Sequence, residues 1–432
     1  MGELIKDATV PAPAANADPY LRRSKPGKLA KIGLAAGAMA AAIMAVGAKP
    51  NRSLAQPVSP PDISYQPKEV GVVTDMAEQP TLEQASAAVA FIERAGFRAL
   101  KETVQIATGQ QGFKAMNIGD QTKINNSLDA AQAAGLPVTL YLEAQTWIKG
   151  YQPPVRPNQQ RGFCKVGAQI IAAHPGAIEA EAIELEPNNP HFIKRQFNED
   201  GSDAAAKFDE SLTATCYDII KQQDPSVKII GLELASGGND DPNSKRPSHS
   251  PLSFVRDFCQ DYKNSGRDKP IMDEASFHWY PPRHTNTQSV NGVSDYDKVV
   301  SALNCFEGTP QPLPLEVSWG EGGRADQVPQ PMLNLYGGKQ PPGSLPVTTI
   351  DQGNYVADSI KMAICDQPDT VSIFNFQLAD DGRGIDTGLF WPSKKTGGRT
   401  SASASLSFQA KPSYKIVRPV ITAYDSGTLC DS

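Results

Sequence analysis

The chain has 432 residues, of which 40% are hydrophobic, and a formal net charge of −6 at pH 7. This length is enough for one large barrel or two ordinary domains. The first 55 residues hold eight Lys or Arg and three Asp or Glu, which leaves a net charge of −11 for the remainder. An acidic folded part argues against nucleic acid or an anionic membrane surface as its partner.

The N-terminal region has the pattern of an export signal. Residues 32–48 are 17 uncharged, mostly apolar residues that follow a basic stretch. This order directs a chain into the export machinery. We predict a signal peptide within residues 1–55, with a retained membrane anchor as the alternative, and a Pro-rich spacer over residues 56–67. The protein is therefore expected outside the cell or at its surface, touching a membrane only through residues 32–48 if they are not removed.

Six cysteines fit an exported protein, because disulfides persist in oxidising compartments. No CxxC or Cys/His metal spacing occurs among them, which argues against a zinc site. The adjacency of predicted helices suggests three disulfides: Cys164 with Cys216, Cys259 with Cys305, and Cys365 with Cys430.

Strand-like and helix-like segments alternate along the chain. Thr81 and Gln84 have capping-box spacing before a helical repeat that stops at Gly96, and Ser250-Pro251 is a typical helix start. The predicted strands are Val70–Thr74, Phe97–Val104, Leu136–Leu142, the run ending at Glu186, Val227–Leu234, Pro270–Trp279, Leu313–Val317 and Val371–Gln377.

This alternation predicts a parallel sheet, and eight repeats close it. We predict a single-domain (β/α)8 TIM barrel over residues 68–425, followed by a short C-terminal tail, residues 426–432. A doubly wound open sheet would show the same alternation, but the chain has no GxGxxG or P-loop motif to favour that fold.

Two carboxylates stand out at predicted strand ends. In AIELEPNNP, Pro187 forbids the ladder from continuing past Glu186, and in PLPLEVSWGEGG, Glu316 lies near the end of another strand. Their separation fits the fourth and seventh strands of a barrel, whose C-terminal ends carry the active site. Two acids on one rim are the equipment for cutting a glycosidic bond. Glu321, beside the same loop, is the alternative to Glu316.

The tryptophans support a sugar-binding cleft. The chain has only four, and each lies at or after a predicted strand end. The apolar face of a sugar ring packs on a flat aromatic ring. The four candidates are Trp147, Trp279, Trp319 and Trp391.

Several short motifs together resemble the clan of retaining, cellulase-like (β/α)8 glycoside hydrolases. Glu186-Pro-Asn188 is similar to the Asn-Glu-Pro signature at the end of strand four, and FHWYP at 277–281 resembles the strand-six His-x-Tyr-Pro. LEVSW at 315–319 resembles the sequence around the strand-seven nucleophile. KPSY at 411–414 is similar to the opening of the last helix. The resemblance extends over residues 65–425.

The resemblance implies roles for individual residues. Glu186 would be the general acid/base and Glu316 the nucleophile, with Tyr280 hydrogen-bonded to the nucleophile. His278 would line the site, and Lys101 would lie where the clan often has an arginine beside the nucleophile. Asn188, in the strand-four signature, is a further candidate for sugar binding.

The implied mechanism is double displacement, in which the neighbouring carboxylate raises the pKa of Glu186, so that Glu186 holds a proton to give to the departing oxygen. It requires the two carboxyl groups to lie about 5 to 5.5 Å apart. Leu185 stands where the clan has the Asn that binds the sugar 2-hydroxyl. The alternative function is therefore a catalytically inactive carbohydrate-binding barrel displayed at the cell surface. A transglycosylase would carry the same residues.

Other carboxylates are secondary candidates. Glu184 has the same strand parity as Glu186 and, if inward, would need Lys101 or Arg98 as its partner. We expect a carbohydrate substrate, no metal or cofactor, and a monomer. Reserve site residues are Glu143 and Glu233, and possible subsite or loop residues are Asp380, Asp381 and Asp386.

Overall fold

The computed structural model describes residues 68–109, 112–114, 118–144, 153–281, 289–341, 344–380, 386–392 and 408–431. The predicted export segment and spacer lie outside these residues, as do Trp147 and Asp381. Among the described residues, no helix has the length and apolar character needed to cross a membrane.

Eight parallel strands form a closed barrel, as the sequence predicts. β1 pairs with both β2 and β8, which closes the sheet, and every other strand pairs with its neighbours in chain order. The strands are β1 Glu69–Val73, β2 Ala99–Gly109, β3 Val138–Ala144, β4 Ile178–Ile183, β5 Lys228–Leu234, β6 Glu274–His278, β7 Glu316–Gly322 and β8 Thr370–Phe376. Short antiparallel additions are Gly112–Lys114 on β2 and the pair Phe390–Trp391 with Gln409–Ala410.

The helices begin and end where local chemistry satisfies their backbone groups. Thr81 accepts a hydrogen bond from the Gln84 amide at the first helix, and Gly96 ends it with φ of 100°. Ser250 caps the fifth in the same way. The helices are α1 Leu82–Ala95, α2 Ile118–Ala134, α3 Pro157–Ala173, α4 Ala205–Gln223, α5 Pro251–Ser265, α6 Tyr296–Leu303, α7 Thr349–Lys361 and α8 Pro412–Asp425.

Most of the apolar core lies between the strands and the surrounding helices, as in a typical barrel of this kind. The interior of the barrel is filled differently at its two levels. Small apolar clusters, including Tyr141 and Ile230, fill part of it. Lys101, Glu233 and His278, all fully buried, occupy the upper part. Such buried charges are rare unless they are paired, and here Glu233 pairs with both Lys101 and His278.

Two of the three predicted disulfides are confirmed. Cys164 joins α3 to Cys216 in α4, and Cys365 joins the segment after α7 to Cys430. Through Cys430 the predicted tail is tied to the barrel. The third prediction is wrong, because Cys259 and Cys305 carry free thiols. The Cys305 Sγ lies 3.9 Å from the Val255 carbonyl oxygen, one turn of α5 before Cys259.

Glu184 does not continue strand β4. The strand ends at Ile183, and Glu184 has a positive φ of 60°, so strand parity does not set the direction of its side chain. Its carboxyl group is buried, and burial, with the nearby charges of Glu143 and Asp209, raises its pKa well above the usual range. Neither expected partner reaches it, because Lys101 pairs with Glu233 and Arg98 with Asp425.

Candidate active site

Glu186 and Glu321 face each other at the C-terminal end of the barrel. Glu186 follows β4, and its φ of 41° marks a backbone that has left the strand. Glu321 is the penultimate residue of β7. Three atoms lie within 4.8 Å of one another: one carboxylate oxygen of Glu186, one of Glu321 and one ring nitrogen of His278. The structure therefore brings together one carboxylate from strand four and one from strand seven.

Glu316 does not take part in this pair, and its predicted position was wrong. It is the first residue of β7 and pairs in register with Glu274, the first residue of β6. Its carboxylate forms an ion pair of 2.8 Å with Lys228 at the start of β5, and 42% of the side chain is exposed. The offset of five positions from Glu316 to Glu321 corresponds to about 17 Å along a strand. Glu316 thus lies at the bottom of the barrel.

The error came from the assigned length of the strand. The sequence predicts a strand over Leu313–Val317 and a loop from Gly320, whereas the strand begins at Glu316 and runs through Gly322. Simple alternation from Trp319, which faces the outer core, would also turn Glu321 outward. A register shift between Trp319 and Gly322 reverses this direction. Such bulges re-aim side chains next to active sites.

Tyr280 and His278 contact the carboxylate pair, but Tyr280 bonds to Glu321 and not to Glu316, the partner expected from the sequence. The Tyr280 hydroxyl donates a hydrogen bond of 2.5 Å to Glu321 Oε1. His278 Nδ1 lies 2.9 Å from Glu186 Oε1, and its Nε2 lies 3.0 Å from Glu233 Oε2. Asn189, which the sequence reasoning missed, donates a 2.6 Å hydrogen bond to the other oxygen of Glu186.

Lys101 is part of the site but contacts a different carboxylate from the one expected. Its ammonium group forms a 2.6 Å ion pair with Glu233 and donates to the Gly320 carbonyl oxygen at 3.1 Å. It also lies 4.4 Å from the centre of the Tyr141 ring. Glu233, only a reserve candidate in the sequence, is therefore bonded to both Lys101 and His278.

Burial and charge set the protonation of the site. Burial lowers the pKa of His278, but Glu321, Glu186 and Glu233 outweigh it and raise the pKa to about 10. Burial raises the pKa of Glu233, yet Lys101 and His278 together lower it to about 2. The His278 ring thus lies between two carboxylates, in surroundings that favour its charged form.

The carboxylate pair divides its protonation unequally. Burial favours the neutral form of Glu186, but hydrogen bonds from His278 and Asn189 and the charge of His278 leave its pKa below the ordinary value. Burial raises the pKa of Glu321, and the charge of Glu186 adds to this although His278 opposes it. In the free protein, Glu321 is therefore the more easily protonated of the two carboxyl groups. The expected raised pKa of Glu186 is wrong for this state.

The three tryptophans within the described residues do not form the predicted rim. Trp279 and Trp319 are fully buried in the core, where their indole N–H groups donate to the Phe374 carbonyl and the Thr370 hydroxyl. Trp391 is buried against Lys411, whose ammonium lies 4.7 Å from the ring centre. Lys411 in turn pairs with Asp380, so this loop carboxylate is structural.

Asn188 also has a structural position. Its side chain is fully buried, accepts a hydrogen bond from the Ala235 amide and donates to the carbonyl oxygens of Ala235 and His249. It joins the loops after β4 and β5 and so supports the turn that carries Glu186. Direct sugar binding through Asn188 is not supported.

An open cavity of about 940 Å³ lies over the carboxylate pair. Glu186, Glu321 and Tyr280 line it, and aromatic surface comes from Phe192 and Phe376 rather than from tryptophan. The volume falls within the range for small-molecule sites, about 300 to 1,000 Å³. The wall also offers hydroxyl, amide, imidazole and guanidinium groups: Ser236, Ser248, Ser289, Asn239, Asn291, His191 and Arg246.

The described part of the chain has two clusters of one histidine and two carboxylates whose ligand atoms lie within 4.8 Å of one another. One cluster is Glu186, His278 and Glu321, in which both ring nitrogens of His278 face carboxylates. The other is Asp203, His249 and Asp257, in which the two carboxylates approach opposite ring nitrogens of His249.

The barrel is similar to those of solved glycoside hydrolases. A family 39 glycoside hydrolase from Bacteroides cellulosilyticus WH2 aligns with a TM-score of 0.53 and 15% identity over 83% of this chain and 64% of its own. A monomeric beta-xylosidase from Caulobacter crescentus CB15 gives 0.50 and 15%, over 83% and 68%. An endo-1,4-beta-mannanase from Rhizomucor miehei gives 0.50 and 9%, over 84% and 94%.

This chain spans about 64% of the length of the first of these proteins. At such identities the similarity establishes the barrel fold. No family model and no curated protein matches the chain.

Proposed function

We propose that this protein hydrolyses O-glycosidic bonds of an oligo- or polysaccharide by double displacement, with Glu321 as the nucleophile and Glu186 as the general acid/base. The observation that carries the proposal is the approach of these two carboxylates to within 4.8 Å beside an open cavity. Retaining glycosidases hold their two carboxyl groups about 5 to 5.5 Å apart, whereas inverting enzymes need about 6.5 to 9.5 Å to admit a water.

The assignment of roles follows from the hydrogen bonds. Tyr280 donates to Glu321, as the clan resemblance expects for the nucleophile. Glu186 is bonded to His278 and Asn189, side chains that can orient it toward a leaving oxygen. In the first step Glu321 attacks the anomeric carbon while Glu186 protonates the departing oxygen. In the second, Glu186 takes a proton from the water that releases the sugar.

The single proton of the pair must lie on Glu186 for the first step. Two groups this close titrate as a pair rather than as independent sites. Positive charge develops on the sugar ring in the transition state. That charge stabilises ionised Glu321 and favours the proton on Glu186, against the order in the free protein, where Glu321 is the more easily protonated.

A carbohydrate-binding barrel without activity is the second candidate. One observation favours it: Leu185, an apolar side chain, lines the cavity beside Glu186 where the clan resemblance expects an asparagine. A site that has lost a polar contact to the sugar would still bind through its remaining hydroxyl, amide and aromatic groups.

The experiment is to incubate the purified chain with a panel of aryl glycosides and polysaccharides and to follow the product anomer by NMR. Hydrolysis with retained anomeric configuration is expected, and Glu186→Gln and Glu321→Gln should each abolish it. Inverted configuration would reject the double displacement. A wild type that binds glycans on an array but cleaves none would establish the second candidate.

Export is part of this proposal. The apolar run at residues 32–48 would bring the barrel outside the cell, where polysaccharide substrates occur. Fractionation of expressing cells, with N-terminal sequencing of the mature chain, tests it. Recovery of the uncleaved chain in the cytosol alone would reject export.

A further inference from the structure

Ionisable side chains from β2, β5 and β6 form one hydrogen-bonded chain that leads to Glu186. Lys101 Nζ lies 2.6 Å from Glu233 Oε1, and the second oxygen of Glu233 lies 3.0 Å from His278 Nε2. His278 Nδ1 then lies 2.9 Å from Glu186. The side chains of Lys101, Glu233 and His278 are fully buried, while that of Glu186 is 14% exposed. Only the end of the chain at Glu186 reaches the cavity.

We infer that Glu233, anchored by Lys101, is a positioning residue that holds His278 as a cation and aims it at Glu186. The double displacement itself requires only Glu186 and Glu321. This inference concerns Lys101, Glu233 and His278, which do not line the cavity. The predicted effect on the pH profile of kcat/KM rests on the proposed function, whereas the predicted protonation of the His278 ring does not.

The packing around Glu233 leaves little freedom for another arrangement. A Cβ atom added at Gly320 would lie 2.1 Å from Ser276 Oγ, 2.8 Å from Lys101 Nζ and 2.9 Å from Glu233 Oε1. Only a residue without a side chain fits there. The backbone of Gly320 in β7, the residue before Glu321, thus packs directly against the Lys101–Glu233 ion pair.

The charges around His278 explain why Glu233 is needed. Three carboxyl groups act on the ring: Glu233 and Glu186 through hydrogen bonds, and Glu321 through its charge. Tyr280 packs against the ring edge, with the ring centres 6.2 Å apart. Lys101 lies on the far side of Glu233. Without the Glu233 charge, two buried cations, Lys101 and His278, would face each other with no anion between them.

Neutralising Glu233 should therefore release the proton of His278. An amide in place of the carboxylate can still accept from Lys101 and donate to Nε2, which suits a neutral ring protonated only on Nδ1. Loss of one neighbouring charge shifts a pKa by about 1 to 3 units. His278 should titrate that much lower in Glu233→Gln, and Glu186, which loses the cation beside it, should titrate higher.

The direct test is ¹⁵N NMR of histidine-labelled full-length protein, with the His278 signals assigned by their loss in His278→Gln. The chain has only five histidines, so this subtraction is practical. In the wild type, both ring nitrogens should stay protonated from neutral pH to about pH 9, because an imidazolium between two carboxylates is strongly favoured. In Glu233→Gln, the ring should convert to the Nδ1–H form at least about one unit lower.

Glu274→Gln is the matched control, because it removes a carboxylate from the opposite end of the same strand, β6. It should leave the His278 signals in place. A neutral His278 at pH 7 in the wild type would overturn the inference without any variant. An unchanged titration in Glu233→Gln would overturn it as well.

Kinetics supply the second readout. If the protein is a glycosidase, Glu233→Gln should raise the lower apparent pKa of its pH profile of kcat/KM. Lys101→Arg, which keeps the cation, should have a pH profile closer to that of the wild type than Lys101→Met has. A purely structural role would lower activity equally at every pH. A wild type with no activity but with an imidazolium lost in Glu233→Gln would reject the proposed function and leave this inference standing.

Discussion

Replacing Glu181 with Gln should stabilise the protein at neutral pH and not in acid. Glu181 lies in β4 with its side chain against α3, where a Cβ atom added at Gly167 would meet its Oε1 at 2.2 Å. The carboxyl group is fully buried, and neither oxygen has a hydrogen-bond partner within the described residues. Burial raises its pKa well above the ordinary value.

The sign and size of the effect follow from linkage. The folded protein holds the Glu181 proton, whereas the unfolded chain releases it above about pH 4.3. Stability from the neutral carboxyl is therefore fully present below that pH and is lost as the pH rises toward the folded pKa. The loss is about 1.4 kcal/mol per pH unit, or about 2.5 kcal/mol between pH 4.5 and 6.5. The Gln side chain does not titrate and avoids this loss.

The measurement is urea unfolding of the wild type and Glu181→Gln at both pH values. The free energy of unfolding of the variant, relative to wild type, should rise by about 2.5 kcal/mol from pH 4.5 to 6.5. Any cost of burying the amide introduced by Glu181→Gln is the same at both pH values and cancels from this difference. Exposed Glu307 provides the control substitution, Glu307→Gln, with no such difference expected. An equal effect of Glu181→Gln at both pH values would refute the reasoning.

Three further outcomes are expected. Glu316→Gln should leave glycosidase turnover within about twofold of wild type, since its carboxylate lies about 17 Å along the strand from Glu321; loss of turnover would return Glu316 to the site. Alkylation of the unfolded, unreduced protein should label Cys259 and Cys305 alone. Trp279→Phe should lower the free energy of unfolding by about 1 to 3 kcal/mol, measured in urea, by orphaning a buried carbonyl; an unchanged value with a raised KM would instead favour a sugar contact.

The sequence predicts the architecture well because its signals are local and repeated. Each strand-helix unit carries its own apolar run, cap and stop, as at Thr81 and Gly96, so eight units identify the barrel without knowledge of long-range contacts. Two disulfides were predictable for the same reason, since helices adjacent in the chain lie side by side in the barrel.

The site was only partly predictable because it depends on irregular backbone. Glu186 could be identified from the proline after it, but the positive φ values of Glu184 and Glu186 cannot be read from parity. At β7, a late strand start and a bulge place Glu321, and not Glu316, opposite Glu186. The tryptophans were misplaced because a strand end also borders the outer core, where Trp279 packs.

The central claim is that Glu321 forms a covalent bond to the sugar. A mechanism-based 2-deoxy-2-fluoro glycoside, of the sugar found to be cleaved, should trap this intermediate. Mass spectrometry of the digested protein should then find one adduct, on Glu321, that is absent from Glu321→Gln. An adduct on Glu186 or Glu316, or turnover of the natural substrate that survives in Glu321→Gln, would contradict the account.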